Sequence, residues 1–508
     1  MIGTSTAEYV FIKACVITLH LIAPICVTYC ILTACLPSTL HLSKCFEYWA
    51  FAETLFYFLI YLYQRYHLQR PALHPPPLSK EGRHKLFDLC QDTIQDHGRY
   101  ISKWFLDVPP AAIKRENIKE WFRWAFLNTA MDDPTYDDEV EGYVKKLERR
   151  TGMYFEPGRA NVKSLRLTLD KVDALHRSLI WYMCIFVVDI ITHAIMFFHH
   201  FQFHRSSLVH CVSIFPPRPQ TFIASRRSPA KDITYWYRPH TSRKESPILF
   251  LHGIGVGLYP YVRFLNELNQ GRGDEDGEIG IIAVEILPVS SRITPAILGK
   301  ERMCQRLRAI LRHHRFEKFV LVSHSYGSVI AAYLLKTPGL ASQIVSVVLV
   351  DPVSVLLHQP DVAYNFTFRR PKFANEWLIW YFGSKDIGVA YTLSRHFFWF
   401  ESILWKEDLM ERHTTVFLGG KDLIVNTPQV RTYLQGVREQ QNSRNASRGE
   451  ANRAEKIESP DQMDGRLNLV WCADLDHGEI FGSAVWRTRL KSEVLKQAAR
   501  ASNPLTRN

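Results

Sequence analysis

Ser325 lies in the stretch LVSHSYGSVIAAYLL (321–335), where a short apolar run climbs to one serine, turns, and continues into a helix-like segment. Such a serine is either a nucleophile on a strained turn or an ordinary residue of a tight strand–helix loop. A lone hydroxyl is a poor nucleophile near neutral pH, so the first reading requires a base within reach. Acyl transfer also requires donors for the oxyanion that develops. A second glycine-rich stretch, LHGIGVG (251–257), raises phosphate binding as a rival chemistry. It lacks the Gly-Lys-Ser/Thr of a P-loop and the spacing of a dinucleotide-binding turn, which makes nucleotide binding a poor rival. None of the ten cysteines forms a C-x-x-C pair, so no metal site is expected. Their spread does not read as a disulfide framework, and fits a catalytic region facing a reducing compartment.

The elements that must position Ser325 begin near residue 231. Residues 232–238 alternate like a strand. Short apolar runs follow at 247–253, 279–288, 316–325, 344–352, 413–422 and 466–478, with helical patterns at 295–315 and 326–335. Strands alternating with helices predict a mostly parallel sheet covered on both faces. Two inserts interrupt the rhythm. Residues 354–410 are rich in aromatic groups, and residues 436–465 are polar with almost no large apolar side chains, a composition expected of a disordered surface loop.

At 508 residues the chain exceeds one small core, and with 47% apolar and 22% charged residues it is not a disordered one. Its formal charge of +12 favours anionic partners. Zinc-finger spacing, an RNA-binding aromatic signature and a basic region before heptads are all lacking, so nucleic acid is not the expected partner. Basic residues beside apolar segments point instead to acidic lipid headgroups.

The apolar stretch 9–36 is long enough to cross a bilayer and too long for a secretory signal core, which predicts an uncleaved anchor. A second candidate, 46–66, carries Glu47 and Glu53 but ends in interfacial aromatics. Arg65 near its end and Arg70, Lys80, Arg83 and Lys85 after it are basic, so the positive-inside rule puts the rest of the chain in the cytosol. A third stretch, 179–201, places Asp189 and His193 on one helix face. It reads either as a further span or as a helix lying against the catalytic region; the second keeps the downstream domain on the cytosolic side. The expected organisation is a membrane anchor over 1–70, a helical, partly membrane-associated region over 71–220, and the strand–helix domain over 221–508.

Residues 231–500 resemble the α/β-hydrolase superfamily. Ser323-His324-Ser325-Tyr326-Gly327 is similar to its G-x-S-x-G nucleophile elbow, with Ser323 in place of the first glycine. That turn crowds backbone against helix, which is why the residue two before the nucleophile and the residue two after it must be small. The superfamily's chain order of serine, acid, histidine implies Ser325 as nucleophile and His477, in DLDHGEIF, as base. Asp422 lies after the penultimate predicted strand, the usual place of the acid; Asp351, after the preceding strand, is the alternative. The resemblance further implies that the N–H groups of Ile254 and Tyr326 form an oxyanion hole, with His252 and Gly253 in the supporting loop and His252 as a brace. Serine at the elbow disfavours epoxide hydrolase and dehalogenase chemistry. No metal or organic cofactor is implied.

In the superfamily a cap often lies between these elements, which assigns 354–410 that role. Its Trp377, Trp380, Phe397, Phe398, Trp399 and Trp405 suit an apolar substrate, or pack the cap onto the core. The expected activity is hydrolysis of a hydrophobic, lipid-like ester by a membrane-anchored serine hydrolase. An acyltransferase would use the same site, and a scaffold protein retaining the fold is the non-catalytic rival. The sequons at Asn365 and Asn445 would go unused in a cytosolic domain.

Overall fold

The computed structural model describes residues 3–36, 42–129, 133–436, 461–463 and 466–500. Its strands are β1 (Gln202–His204), β2 (Tyr235–Arg238), β3 (Ile248–Leu251), β4 (Ile281–Val284), β5 (Phe319–His324), β6 (Ile344–Val350), β7 (His413–Gly419), β8 (Asp461–Met463) and β9 (Leu467–Cys472). They form one sheet in the order β1-β2-β4-β3-β5-β6-β7-β9-β8. Strands β4, β3, β5, β6, β7 and β9 are parallel, and β1, β2 and β8 pair antiparallel at the two edges.

The central strands are apolar throughout because both of their faces are covered. Alternate residues go to opposite cores: Leu249, Leu251, Leu321 and Val347 to one, Ile248, Phe250, Val320 and Val322 to the other. The helix Gly327–Leu335, which follows β5, is buried along its whole length. A buried central strand and a buried helix meet at Ser325, so the turn between them has no freedom to relax.

Two strands depart from the sequence reading. β1 precedes residue 221 and extends the sheet into the stretch expected to be helical, where Phe203 pairs with Trp236. β8 falls within 436–465, the stretch expected to be a disordered loop, and pairs with β9; apart from Gly436 and these three residues, that stretch lies outside the described residues.

Helices α1 (Thr6–Cys35) and α2 (Lys44–Tyr63) pack against each other. Four helices follow: α3 (Lys80–Thr93), α4 (His97–Trp104), α5 (Arg115–Leu127) and α6 (Asp137–Thr151). They share a core around Phe87, Ile101, Trp121 and Tyr143, against which Trp399 and Trp405 pack. The Trp399 indole also donates to the carbonyl of Ala125 at 3.0 Å, so this helical unit sits directly on the aromatic insert.

Helix α7 (Leu179–Phe198) and α1 are each long and apolar enough to cross a membrane. α2 is not among such helices. It buries Glu53 completely, and that carboxylate accepts from the Leu179 N–H at 2.8 Å. A carboxylate at the start of α7 offsets the positive end of that helix's dipole. On α7, Asp189 pairs with Arg292 and lies 3.3 Å from Arg218, itself paired to Glu285 at 2.7 Å. His193 packs on Trp236 of β2. One face of α7 is therefore tied to the sheet, while Met183, Val187 and Ile190 point outward.

Candidate active site

Ser325 follows β5 with φ +49°, in the left-handed region that a serine rarely adopts. Its N–H donates to the Val350 carbonyl at 3.0 Å, which ties the turn to β6. The crowding is severe on both sides. Ser323 has no exposed surface, and a Cβ on Gly327 would stand 2.4 Å from the Leu251 carbonyl oxygen. Serine at the first small position is accommodated, whereas the second position requires glycine.

The loops after β7 and β9 bring Asp422 and His477 to this turn, at the C-terminal edge of the parallel strands. His477 Nε2 lies 2.8 Å from Ser325 Oγ, and His477 Nδ1 lies 2.7 Å from Asp422 Oδ2. The other Asp422 oxygen accepts from the N–H groups of Ile424 at 2.7 Å and Val425 at 2.9 Å. With Nδ1–H donating to a carboxylate, Nε2 is left to accept from the serine hydroxyl.

Asp351, the alternative acid, makes no hydrogen bond to His477. Its two oxygens accept from the N–H groups of Gly419 at 2.7 Å and Gly478 at 2.9 Å. It thereby joins the end of β7 to the residue after His477, and braces the loops that carry the other two groups. Asp351, Asp422 and His477 are close enough together to suggest an ion site. The four carboxylate oxygens, however, are already committed to backbone amides and the imidazole.

Burial opposes a positive charge on His477. The carboxylates of Asp422, Asp351 and Asp476 outweigh it and hold the imidazole above its ordinary value of 6.5. Burial, and the charge of Asp422, push Asp351 up.

The loop after β3 meets the elbow closely: a Cβ on Gly253 would stand 2.8 Å from Ser325 Cβ. Neither the Ile254 nor the Tyr326 N–H donates to an acceptor among the described residues, so both are free for a ligand oxygen. His252 Nδ1 lies 2.7 Å from the Gly253 carbonyl, and its Nε2 accepts from the Ile286 N–H at 2.8 Å. Burial lowers its pKa to about 4, which keeps it a neutral bridge between the loops after β3 and β4.

Two further residues at the elbow were given no role by the sequence. Tyr261 Oη accepts from the Gly253 N–H at 3.2 Å and lies 2.8 Å from His324 Nδ1. His324 is buried beneath His477, and burial drives its proton affinity down. Nothing in the spacing of Tyr261 marks it out; only the fold brings it to the elbow.

A cavity of about 620 Å³ opens beside Ser325 and His477. Phe397, Phe398 and Trp399 line it; Trp377, Trp380 and Trp405 do not. Trp377 and Trp380 pack against α1, and Trp405 against the helical unit. The helical unit, whose role the sequence left open, supplies Trp104 and Trp124 to the cavity wall.

No family model matches the chain, and no curated protein matches it. Among solved structures, a membrane phospholipase A described as a bacterial virulence factor is 14% identical, over 63% of this chain and 93% of its own, with TM-score 0.37. A carboxylesterase structure from the thaumarchaeon Nitrososphaera gargenis is also 14% identical, over 54% and 98%, with TM-score 0.33. The 2-hydroxy-6-oxo-6-phenylhexa-2,4-dienoate hydrolase of Rhodococcus sp. strain RHA1 is 12% identical, over 52% and 95%, with TM-score 0.33. The strand order itself, with β3 crossing over β4 and a serine at the sharp turn after the central strand, is that of the α/β-hydrolase superfamily, and the chain has that fold.

Proposed function

We propose that the protein is a membrane-anchored serine hydrolase that cleaves hydrophobic, lipid-like esters. The observation that carries this reading is the unbroken line Asp422–His477–Ser325, held at hydrogen-bond distance and opening onto a large apolar cavity. A scaffold protein has no need of such an arrangement.

In this reading Ser325 Oγ attacks the ester carbonyl while its proton passes to His477 Nε2. The Ile254 and Tyr326 amides receive the oxyanion. Collapse breaks the bond to the alcohol, which leaves with the proton from His477, and an acyl-Ser325 ester remains. Water then attacks that ester with His477 again as base, releasing the carboxylic acid and restoring the serine. The cycle needs no metal or organic cofactor. Asp422 holds the imidazole in the required tautomer and offsets its charge.

The cavity lies within the usual range of about 300–1,000 Å³ for small-molecule sites and is walled by aromatic and aliphatic groups. Each methylene buried there contributes about 0.8 kcal/mol. A series of esters of increasing acyl length tests the proposal. Turnover per enzyme at limiting substrate should climb with chain length in the wild type and vanish in Ser325→Ala. Wild-type protein that releases no acid from any ester would overturn it. In this reading α1, packed against α2, is the anchor and has its N-terminal end on the same side of the membrane as the catalytic domain; the basic residues that follow α2 favour the cytosol as that side.

A further inference from the structure

The cavity at Ser325 does not end within the hydrolase domain. Phe11, Ile12 and Cys15 of α1 form part of its wall. Phe11 lines the cavity and is nevertheless 62% exposed; Leu378 of the aromatic insert also lines it and is 36% exposed. Pro260, in the loop after β3, also lines the cavity and is exposed. Residues that face both the cavity and the outside mark its mouth, so α1, the insert and that loop form its rim. On the same helix Val10, Ile17, Leu21 and Ile25 are exposed apolar groups, the surface of a helix long enough to span a bilayer.

The insert is fixed to α1 at this level. Ala374 and Tyr381 pack against Ile12 and Val16, and Lys13 Nζ lies 3.8 Å above the Trp377 ring. A lysine near the end of an apolar helix carries its charge to headgroup depth. Lys13 therefore sets the mouth near the interface, where the ester groups of a membrane lipid reside.

We propose that the substrate is a membrane-resident acyl lipid that enters sideways from the bilayer, passing between Phe11 and Leu378, and that its acyl chain lies against α1. This rests on the ester-hydrolase reading and adds to it a source and a route. The anchor is then a wall of the substrate site as well as a tether.

The full-length protein would be reconstituted in vesicles of neutral phospholipid that also contain a long-chain fluorogenic ester lipid, with a short water-soluble ester assayed on the same preparation. Sideways entry predicts that the lipid ester is cleaved at least tenfold faster when it shares the bilayer with the protein than when it is supplied in separate vesicles. Equal initial rates would show that the lipid arrives through water and would overturn the proposal. Cys15→Trp and Leu378→Trp, on the two sides of the mouth, are each predicted to lower the long-to-short rate ratio at least tenfold, whereas Ile25→Trp, on the outward face of α1, leaves that ratio unchanged. Fluorophosphonate labelling of Ser325 identifies variants that have folded. An unchanged ratio in either mouth variant that still labels contradicts the route even when the wild type cleaves both esters. Wild-type protein that cleaves neither ester removes the ester-hydrolase reading itself.

Discussion

His477 Nδ1 meets Asp422 Oδ2 at 2.7 Å, while the second oxygen of Asp422 is already held by the amides of Ile424 and Val425. The carboxylate cannot rotate away without abandoning those two bonds. That fixes which of two nearby aspartates serves the imidazole. In Asp422→Asn the amide side chain would instead donate to Nδ1 and force the proton onto Nε2, facing the serine. Activity should fall about a thousandfold or more with the fold intact. Asp351→Asn removes a brace, leaving one of the Gly419 and Gly478 amides without its acceptor. It should cost about 1–3 kcal/mol of stability, read by thermal melting, and far less in activity. The reverse ranking in rates would make Asp351 the working acid.

The pH dependence follows from the three carboxylates around His477. They raise the imidazole's affinity for a proton, and only its neutral form can act as base. The ascending limb of kcat/KM should therefore lie above 6.5, the ordinary imidazole value. Replacing Asp476 by Asn removes one raising charge, so the limb should move to lower pH. A limb that moves the other way, or one already below 6.5 in the wild type, contradicts this electrostatic account.

Two neighbours of the elbow should respond in opposite directions. The Ser323 hydroxyl is fully buried and has no hydrogen-bond partner among the described residues. Ser323→Ala should remove that unmet group, stabilise the protein by about 1 kcal/mol and keep the site active. Gly327→Ala should abolish activity, because its Cβ meets the Leu251 carbonyl. Melting and turnover of the two variants side by side check the pair.

Tyr261 acts through the loop that carries Ile254. Tyr261→Phe leaves the Gly253 N–H and His324 Nδ1 without their shared partner. We expect kcat to fall about tenfold, with KM little changed, since the loss falls on the oxyanion donors and not on acyl-chain binding. Tyr261 also lines the cavity, so a KM effect alone would mean that its hydroxyl serves substrate binding and not the loop.

The parallel core was legible because strands covered on both faces must be continuous apolar runs, as at 247–253 and 316–325. That Ser325, Asp422 and His477 meet at one edge of the sheet was legible because each follows such a run in chain order. β1 was not: three residues, Gln202–His204, are too short to show a period, and their pairing depends on β2 across the chain. Tyr261 and His324 have meaning only through a contact that spans the fold. The aromatic insert shows the same limit. Composition marked six of its rings as suited to an apolar substrate, yet α1 and the helical unit claim Trp377, Trp380 and Trp405 for packing. Glu53, which weakened α2 as a span in the sequence, proves to be the cap of another helix.

The central claim is that Ser325 is an activated nucleophile, and one measurement meets it without any knowledge of the substrate. Membrane fractions containing wild type, Ser325→Ala and His477→Ala would be treated with a fluorophosphonate probe and resolved by gel. The account predicts strong labelling of the wild type, none of Ser325→Ala and very little of His477→Ala. Folded wild-type protein that takes no label, or a label that survives in Ser325→Ala, would contradict it.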